Sequence, residues 1–336
     1  MENRSQLCNE TFVLKKEGYD PFLDYMKGWA ILSVVLLHAI VSPHWAYFML
    51  QAVPIFLLIQ VFHSYKKGLE NCRVFNFAKI WQRILYPFFK VQFFLLCFYI
   101  VTSLGNVGGV LKKFVIDGGL GPGSYYPWLY VQFALLLPFL ARYLKDKSVM
   151  TVGWTLLLLS VASEIFFCLI HIHDGIWRLL CVRYIYLCFL GLMWVSESGV
   201  KMTKVKLLLI LVSFVSITLL VYFDVNLEPL FLSSESTRWY KFHWFTYYWP
   251  AFAVPQMLWW LWKHSSCAIN HLFCVMGKYS WEIFLVQMAV FAVFYRVAGL
   301  IINQFGERTG MIVQALCIFP SIVPVLMYAH YKQKEK

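Results

Sequence analysis

A chain of 336 residues is long enough for two soluble domains, but 60% of it is hydrophobic and only 14% charged, with a mean hydropathy of +0.64. So little polar side chain cannot cover a water-facing surface, which excludes a soluble globular protein and leaves one all-α polytopic membrane domain. The net charge of +12 is spread over short loops between apolar runs, a pattern of membrane topology rather than of nucleic-acid binding.

The first 20 residues, "MENRSQLCNETFVLKKEGYD", are polar and lack the apolar core of a cleavable signal. They read as a cytoplasmic tail, on which the sequon Asn9-Glu10-Thr11 is fortuitous. The membrane domain covers 21–331, and 332–336 form a second cytoplasmic tail. A helix needs about 20 apolar residues to cross a bilayer. Ten runs are candidates: 22–42, 46–63 (short, with Pro54), 84–104, 125–142, 150–171, 177–196, 205–223, 243–262, 272–296 and 310–330. With both termini in the cytoplasm, 19 Lys and Arg fall on the inner side and 8 on the outer, as the positive-inside rule requires. The nine cysteines include no Cys-x-x-Cys pair, and Cys97, Cys168 and Cys188 sit in apolar runs. Neither a disulfide framework nor a metal site is expected.

In the first run, "DYMKGWAILSVVLLHAI", Asp24, Lys27 and His38 fall on one stripe, because steps of 11 and 14 residues return to within about 20° and 40° on a helix. Asp24 and Lys27 can pair at the cytoplasmic end. His38 stands about 16 Å beyond Lys27, in the outer half. Two roles are open for it: a neutral imidazole serving as general base, or a hydrogen bond that ties two helices together. At the start of the third run, Lys79 and Arg83 are one turn apart and suit phosphate groups, or simply anchor the helix. The outer loop before the fourth run is glycine-rich but lacks the Gly-Lys-Ser/Thr of a phosphate-binding loop. The aromatics after it, Tyr125, Tyr126, Trp128 and Tyr130, are either interface anchors or a surface on which sugars stack. Glu164 and Glu282 are acids within apolar runs, where acids are rarely idle. The longest polar-aromatic outer loop, 224–245, is a candidate for acceptor choice.

Six segments in order carry a resemblance. "LDYMKGWAILSVVLLHA" is similar to the first helix of the acyltransferase-3 family of integral membrane acyltransferases, which opens on Asp and ends in His. Lys27 stands where that family usually has Arg. "VPIFLLIQVF" resembles its second helix, with Gln60 and Val61 in place of a common Ser-Gly pair. "WQRILYPFF" resembles its basic third helix, keeping Arg83 but with Ile80 at the other arginine position. "GSYYPWLYVQFALLLPFL", "RYIYLCFLGLMWV" and "MGKYSWEIFLVQMAVF" resemble three later segments, the last with Gln287 where His is common.

The resemblance implies a multi-pass protein of the bacterial inner (plasma) membrane. Its activity would be O-acyl transfer, commonly O-acetylation from acetyl-CoA as co-substrate, to a hydroxyl of a surface polysaccharide, a cell-envelope glycan or a small molecule. No cofactor or metal is implied. His38 would be the catalytic base, with Lys27 and Asp24 shaping the donor's cytoplasmic mouth. Arg83 and Lys79 would hold the acyl-CoA phosphates. Tyr125, Tyr126, Trp128, Tyr130 and Glu282 would face the acceptor. The competing expectation is a transporter or exporter of a glycan or lipid, which predicts flux without acyl transfer.

Overall fold

The computed structural model describes residues 20–39, 52–65, 76–144, 146–196, 202–226 and 244–334. Among them all regular structure is helical. The N-terminal tail and residues 227–243 of the outer loop lie outside the described residues.

Helix α1 (Pro21–Ala39) starts where Asp20 Oδ1 accepts the Phe22 amide at 3.0 Å, with Pro21 at the first helical position. Helix α2 is Ala52–Tyr65. Helix α3 (Phe77–Thr102) is capped by Asn76, whose side chain accepts from the Lys79 amide. It passes through a π-turn at Trp81–Leu85 just ahead of Pro87, which has no N–H to give. Then come α4 (Val107–Ile116), α5 (Tyr126–Leu144), α6 (Val149–Leu169) and α7 (Asp174–Leu179). A 3₁₀ turn, Cys181–Tyr184, leads into α8 (Tyr186–Ser196), followed by α9 (Lys204–Asn226). A π-turn, Trp249–Ala253, opens α10 (Val254–His264). The chain ends with α11 (Cys267–Lys278), α12 (Ser280–Phe305), α13 (Glu307–Leu316) and α14 (Ile318–Lys334).

Among the described residues, five stretches are long and apolar enough to cross a membrane: Pro21–Ala39, Phe77–Thr102, Val149–Leu169, Ser280–Phe305 and Glu307–Lys332. Their outer faces carry large exposed side chains, among them Phe93, Leu169 and Leu300, each more than 70% accessible. Such surfaces fit a lipid bilayer and not water.

Helix α1 is at the centre of the bundle. Its main partner is α11, and the two touch backbone to backbone. A Cβ on Gly28 would collide with the Phe273 carbonyl, and one on Gly277 with the Asp24 carbonyl. Small residues allow this approach, and in lipid dense packing must supply what hydrophobic burial does not. Helices α1, α3 and α12 run in the same sense. Gly277, just before α12, meets Asp24, while Tyr295 meets His38. On α3, Gln92 meets Met288 and Tyr99 meets Ala292.

Two prolines near the start of α10 remove N–H groups that an α-helix would direct at Thr246 and Ala251. Polar side chains from other helices serve those carbonyls instead. Ser213 Oγ donates to Thr246 O at 2.8 Å and accepts from Trp249 N at 3.1 Å. Trp194 Nε1 donates to Ala251 O at 2.7 Å. In a membrane, proline in a helix is tolerated where neighbours re-satisfy the backbone in this way.

The described elements depart from the sequence expectation in four places. The run 272–296 is interrupted at Tyr279, between α11 and α12, beside the close Gly277–Asp24 contact. The run 177–196 is broken by the 3₁₀ turn at Cys181–Tyr184. The loop before the fourth run contains helix α4, which its lysines and glycines had hidden. Against the expectation of no disulfide framework, Cys267 is disulfide-bonded; the six other described cysteines are free thiols.

Candidate functional site

A cavity of about 660 Å³ opens at the end of the bundle where α1 terminates, and His38 lines it together with residues of α2, α3, α4, α5, α12 and the α7–α8 segment. This volume is in the range of small-molecule sites.

His38 closes α1. Its carbonyl, one of the four that a helix end leaves unserved, accepts from Gln314 Nε2 at 2.8 Å and from Tyr295 Oη at 3.1 Å. The imidazole lies 5.8 Å from the Phe291 ring, centroid to centroid. The end of α1 is thus tied through its backbone, and His38 lines the cavity.

The glycine-rich loop forms one wall. Gly119, Gly121 and Gly123 line the cavity with Ser124, Tyr125 and Tyr126. Gly119 and Gly121 have φ of 139° and 89°, conformations in which an L side chain is strained. A Cβ on Gly121 would also sit 2.9 Å from the Met288 carbonyl oxygen. The loop is folded inward, with Leu120 buried, so its backbone needs partners that water cannot provide. Gln92 supplies them as a two-pronged clamp. Its Nε2 donates to Leu120 O at 2.9 Å, and its Oε1 accepts from Leu120 N at 2.6 Å. Trp128 Nε1 donates to Gly118 O at 2.6 Å, and Gln287 Nε2 reaches Pro122 O at 3.4 Å.

The neighbouring α7–α8 segment is basic and is clamped in the same way. Gln132 Nε2 donates to Leu179 O at 2.6 Å, while its Oε1 accepts from Cys181 N at 3.0 Å. Arg178 and Arg183 flank these bonds in sequence, and both line the cavity. Tyr247 Oη donates to the Arg183 carbonyl at 2.9 Å, and the Arg183 guanidinium lies 5.4 Å from the Tyr184 ring centroid. Lys113, on α4, and Asp117, just beyond it, complete the charged lining.

Three of the residues singled out from sequence, His38, Tyr125 and Tyr126, line the cavity; the others do not. Trp128 and Tyr130 do not line the cavity. The Trp128 indole is engaged by the loop, and the Tyr130 carbonyl accepts from Gln60 at 3.0 Å. Glu282 is exposed in the first turn of α12. Lys27 and Asp24 form an ion pair at 3.0 Å, about 16 Å along α1 from His38 measured from Lys27. Lys79 and Arg83 are exposed; Arg83 is about 24 Å along α3 from Tyr99, the residue of that helix that meets the cavity. Glu164 is buried in α6. The sequence reading missed Arg178, Arg183, Gln92 and Gln132 as site residues. Their signal was available in part: two lone amides in apolar runs need a partner.

No family model matches the chain, and no curated protein or solved structure is significantly similar to it.

Proposed function

We propose that the chain is a membrane-bound O-acyltransferase. It moves an acyl group, acetyl in the simplest case, from acyl-CoA to a hydroxyl of a glycan or related envelope acceptor. The observation that carries this reading is the end of α1. The single histidine that the resembling first helix offers as base closes its helix and lines a ligand-sized cavity, with its carbonyl fixed by two donors. A base held this way on a rigid element is positioned before substrate arrives.

In the proposed reaction, the acceptor oxygen attacks the thioester carbonyl as His38 takes the hydroxyl proton. The new C–O bond forms and the C–S bond breaks. The departing CoA thiolate receives the proton from the imidazolium, which returns His38 to its starting form. General-base assistance of this kind is worth about 10²–10⁴-fold.

The wider reading is a ten-helix bundle with both termini in the cytoplasm. The common sense of α1, α3 and α12 supports it, since these would be the first, third and ninth crossings of an alternating bundle. On that topology the Lys79–Arg83 end of α3 faces cytosolic acyl-CoA, and the cavity faces the other side.

The test is acyl transfer by the purified full-length protein in nanodiscs, with labelled acetyl-CoA and a surface-glycan extract as acceptor. His38→Ala should abolish transfer while the melting profile is preserved. Normal transfer by that variant overturns the assignment of the base. Flux of glycan without acyl transfer, and no affinity for CoA, selects the transporter instead.

A further inference from the structure

Backbone donors and acceptors must both find partners, and in the glycine loop the two are treated differently. Every carbonyl from Gly118 to Gly123 is served. Trp128 donates to Gly118 O, Ser124 Oγ to Gly119 O, Gln92 to Leu120 O and Gln287 to Pro122 O. The amides of Ser124 and Tyr126 donate to Gly121 O and Gly123 O. The N–H groups of Gly118, Gly119 and Leu120 are bonded as well. Those of Gly121 and Gly123 meet no acceptor among the described residues.

The direction of these two donors follows from the peptide units that carry them. None of the described peptide bonds is cis, and in a trans peptide the N–H points away from the C=O. The Gly121 N–H shares its peptide with Leu120 O, and the Gly123 N–H shares its peptide with Pro122 O. Those carbonyls are held by Gln92 and Gln287, both buried inside the bundle. The donors therefore point the other way, toward the cavity that Gly121 and Gly123 line. Crowding explains why both residues are glycine, since a Cβ on Gly121 would meet Met288 and one on Gly123 would meet Phe284. It does not explain why their donors are left over. The histidine is close at hand: Gly121 packs on Met288 and Ala292, and the His38 ring faces Phe291 of that same turn of α12. Backbone N–H groups fixed around a concave wall suit an oxygen on which negative charge develops.

We infer that the main-chain N–H groups of Gly121 and Gly123 are the oxyanion hole of the transfer reaction and receive the carbonyl oxygen of the thioester. This rests on the acyltransferase reading. As the acceptor oxygen adds to the thioester carbon and His38 takes its proton, the carbonyl π pair moves onto oxygen, and the two N–H groups hold that charge. When the pair returns to re-form C=O, the C–S bond breaks, and the thiolate leaves with the proton from the imidazolium. Water entering the cavity serves the same donors between turnovers.

The experiment replaces one backbone N–H by oxygen and leaves every side chain in place. Glycolic acid is incorporated at position 121 or at position 123 by nonsense suppression, in full-length protein synthesised into nanodiscs, so that an ester stands where the amide was. Transfer from labelled acetyl-CoA to a surface-glycan extract is then measured. Loss of one such donor costs about 10²–10³-fold in kcat, and KM for acetyl-CoA should change little. The melting midpoint should stay near that of the unaltered protein, because neither N–H is bonded to the chain. An ester at Gly306 is the control: it has a similar φ of 84° but lies away from the cavity, and its N–H donates to Ile302 O at 2.8 Å. That ester should lower the midpoint and leave kcat alone. A second readout needs no turnover. In His38→Ala, the infrared band of ¹³C-labelled acetyl-CoA carbonyl should move to lower frequency on binding, and the shift should shrink when either ester is added. Transfer that depends on His38 but proceeds at full rate in both ester proteins, or with the band unshifted, sinks the oxyanion hole and leaves the enzyme. A band shift removed by the esters, with no transfer to any acceptor, keeps the donors and sinks the enzyme reading. Neither transfer nor shift overturns both.

Discussion

The side-chain amide of Gln314 donates to the carbonyl of His38 at 2.8 Å, across 276 residues of sequence. This bond and the one from Tyr295 fix the last turn of α1, and with it the direction of the imidazole. Gln314→Leu keeps the volume and removes the donor. One neutral hydrogen bond is worth about 1 kcal/mol net, so the melting temperature should fall only slightly. If His38 is the base, kcat should fall several-fold with little change in KM for the acceptor. The double variant with Tyr295→Phe leaves the carbonyl unserved and should lose more than the two single effects combined. A kcat unchanged in the double variant would detach the helix end from the chemistry.

Gly277 and Gly28 set the distance between α1 and α11, and in both cases a Cβ would strike a backbone carbonyl rather than a movable side chain. Overpacking a tight contact costs about 1–3 kcal/mol and more where the neighbour cannot yield. Gly277→Ala and Gly28→Ala should therefore lower the melting temperature and the monodisperse yield in detergent. Gly105→Ala and Gly108→Ala, where the added methyl meets nothing within 4 Å, should leave both unchanged. Equal behaviour of the four variants would mean that the helices are not in contact there.

What the sequence disclosed and what it hid follow the range of the forces involved. Composition and run length mark apolar helices because each run must satisfy its own backbone in lipid. Helical periodicity put His38 at the far end of α1 from the Asp24–Lys27 pair, which the structure forms. The break at Tyr279 was invisible, because the residues around it read as one continuous apolar run and the interruption lies at a crossing with α1. Arg178 and Arg183 looked like two loop cations among several. Their neighbourhood with His38 depends on Gln132, which acts on residues 47 and 49 positions away, and no local pattern encodes that. Helix α4 was hidden by its glycines and lysines, which resemble a loop until Asn106 is seen to cap it.

Gln132 itself offers a test of the basic wall that leaves the arginines in place. Gln132→Leu removes both bonds to the α7–α8 segment and should make the wall mobile. Hydrogen exchange at Cys181 should rise, and the melting temperature should fall. Unchanged exchange at Cys181 would show that the clamp does not hold this segment.

Gln92 carries the equivalent load for the glycine loop, and its clamp is the more buried of the two. Two of its three hydrogen bonds go to one residue, Leu120, in a loop whose φ values leave it little alternative geometry. Gln92→Leu strands a backbone N–H and a C=O away from water, at about 1–3 kcal/mol for each group left unpaired. The variant should therefore be among the least stable single substitutions in the cavity wall. Gln92→Glu in its ionised form keeps an acceptor for the Leu120 amide but loses the donor for its carbonyl, and places a charge in an apolar interior at further cost. Both substitutions should lower the thermal midpoint, with Gln92→Glu recovering toward wild type as acidic buffer protonates the carboxyl and restores a donor. Midpoints for Gln92→Glu that do not rise relative to wild type on acidification would show that the donor half of the clamp contributes nothing.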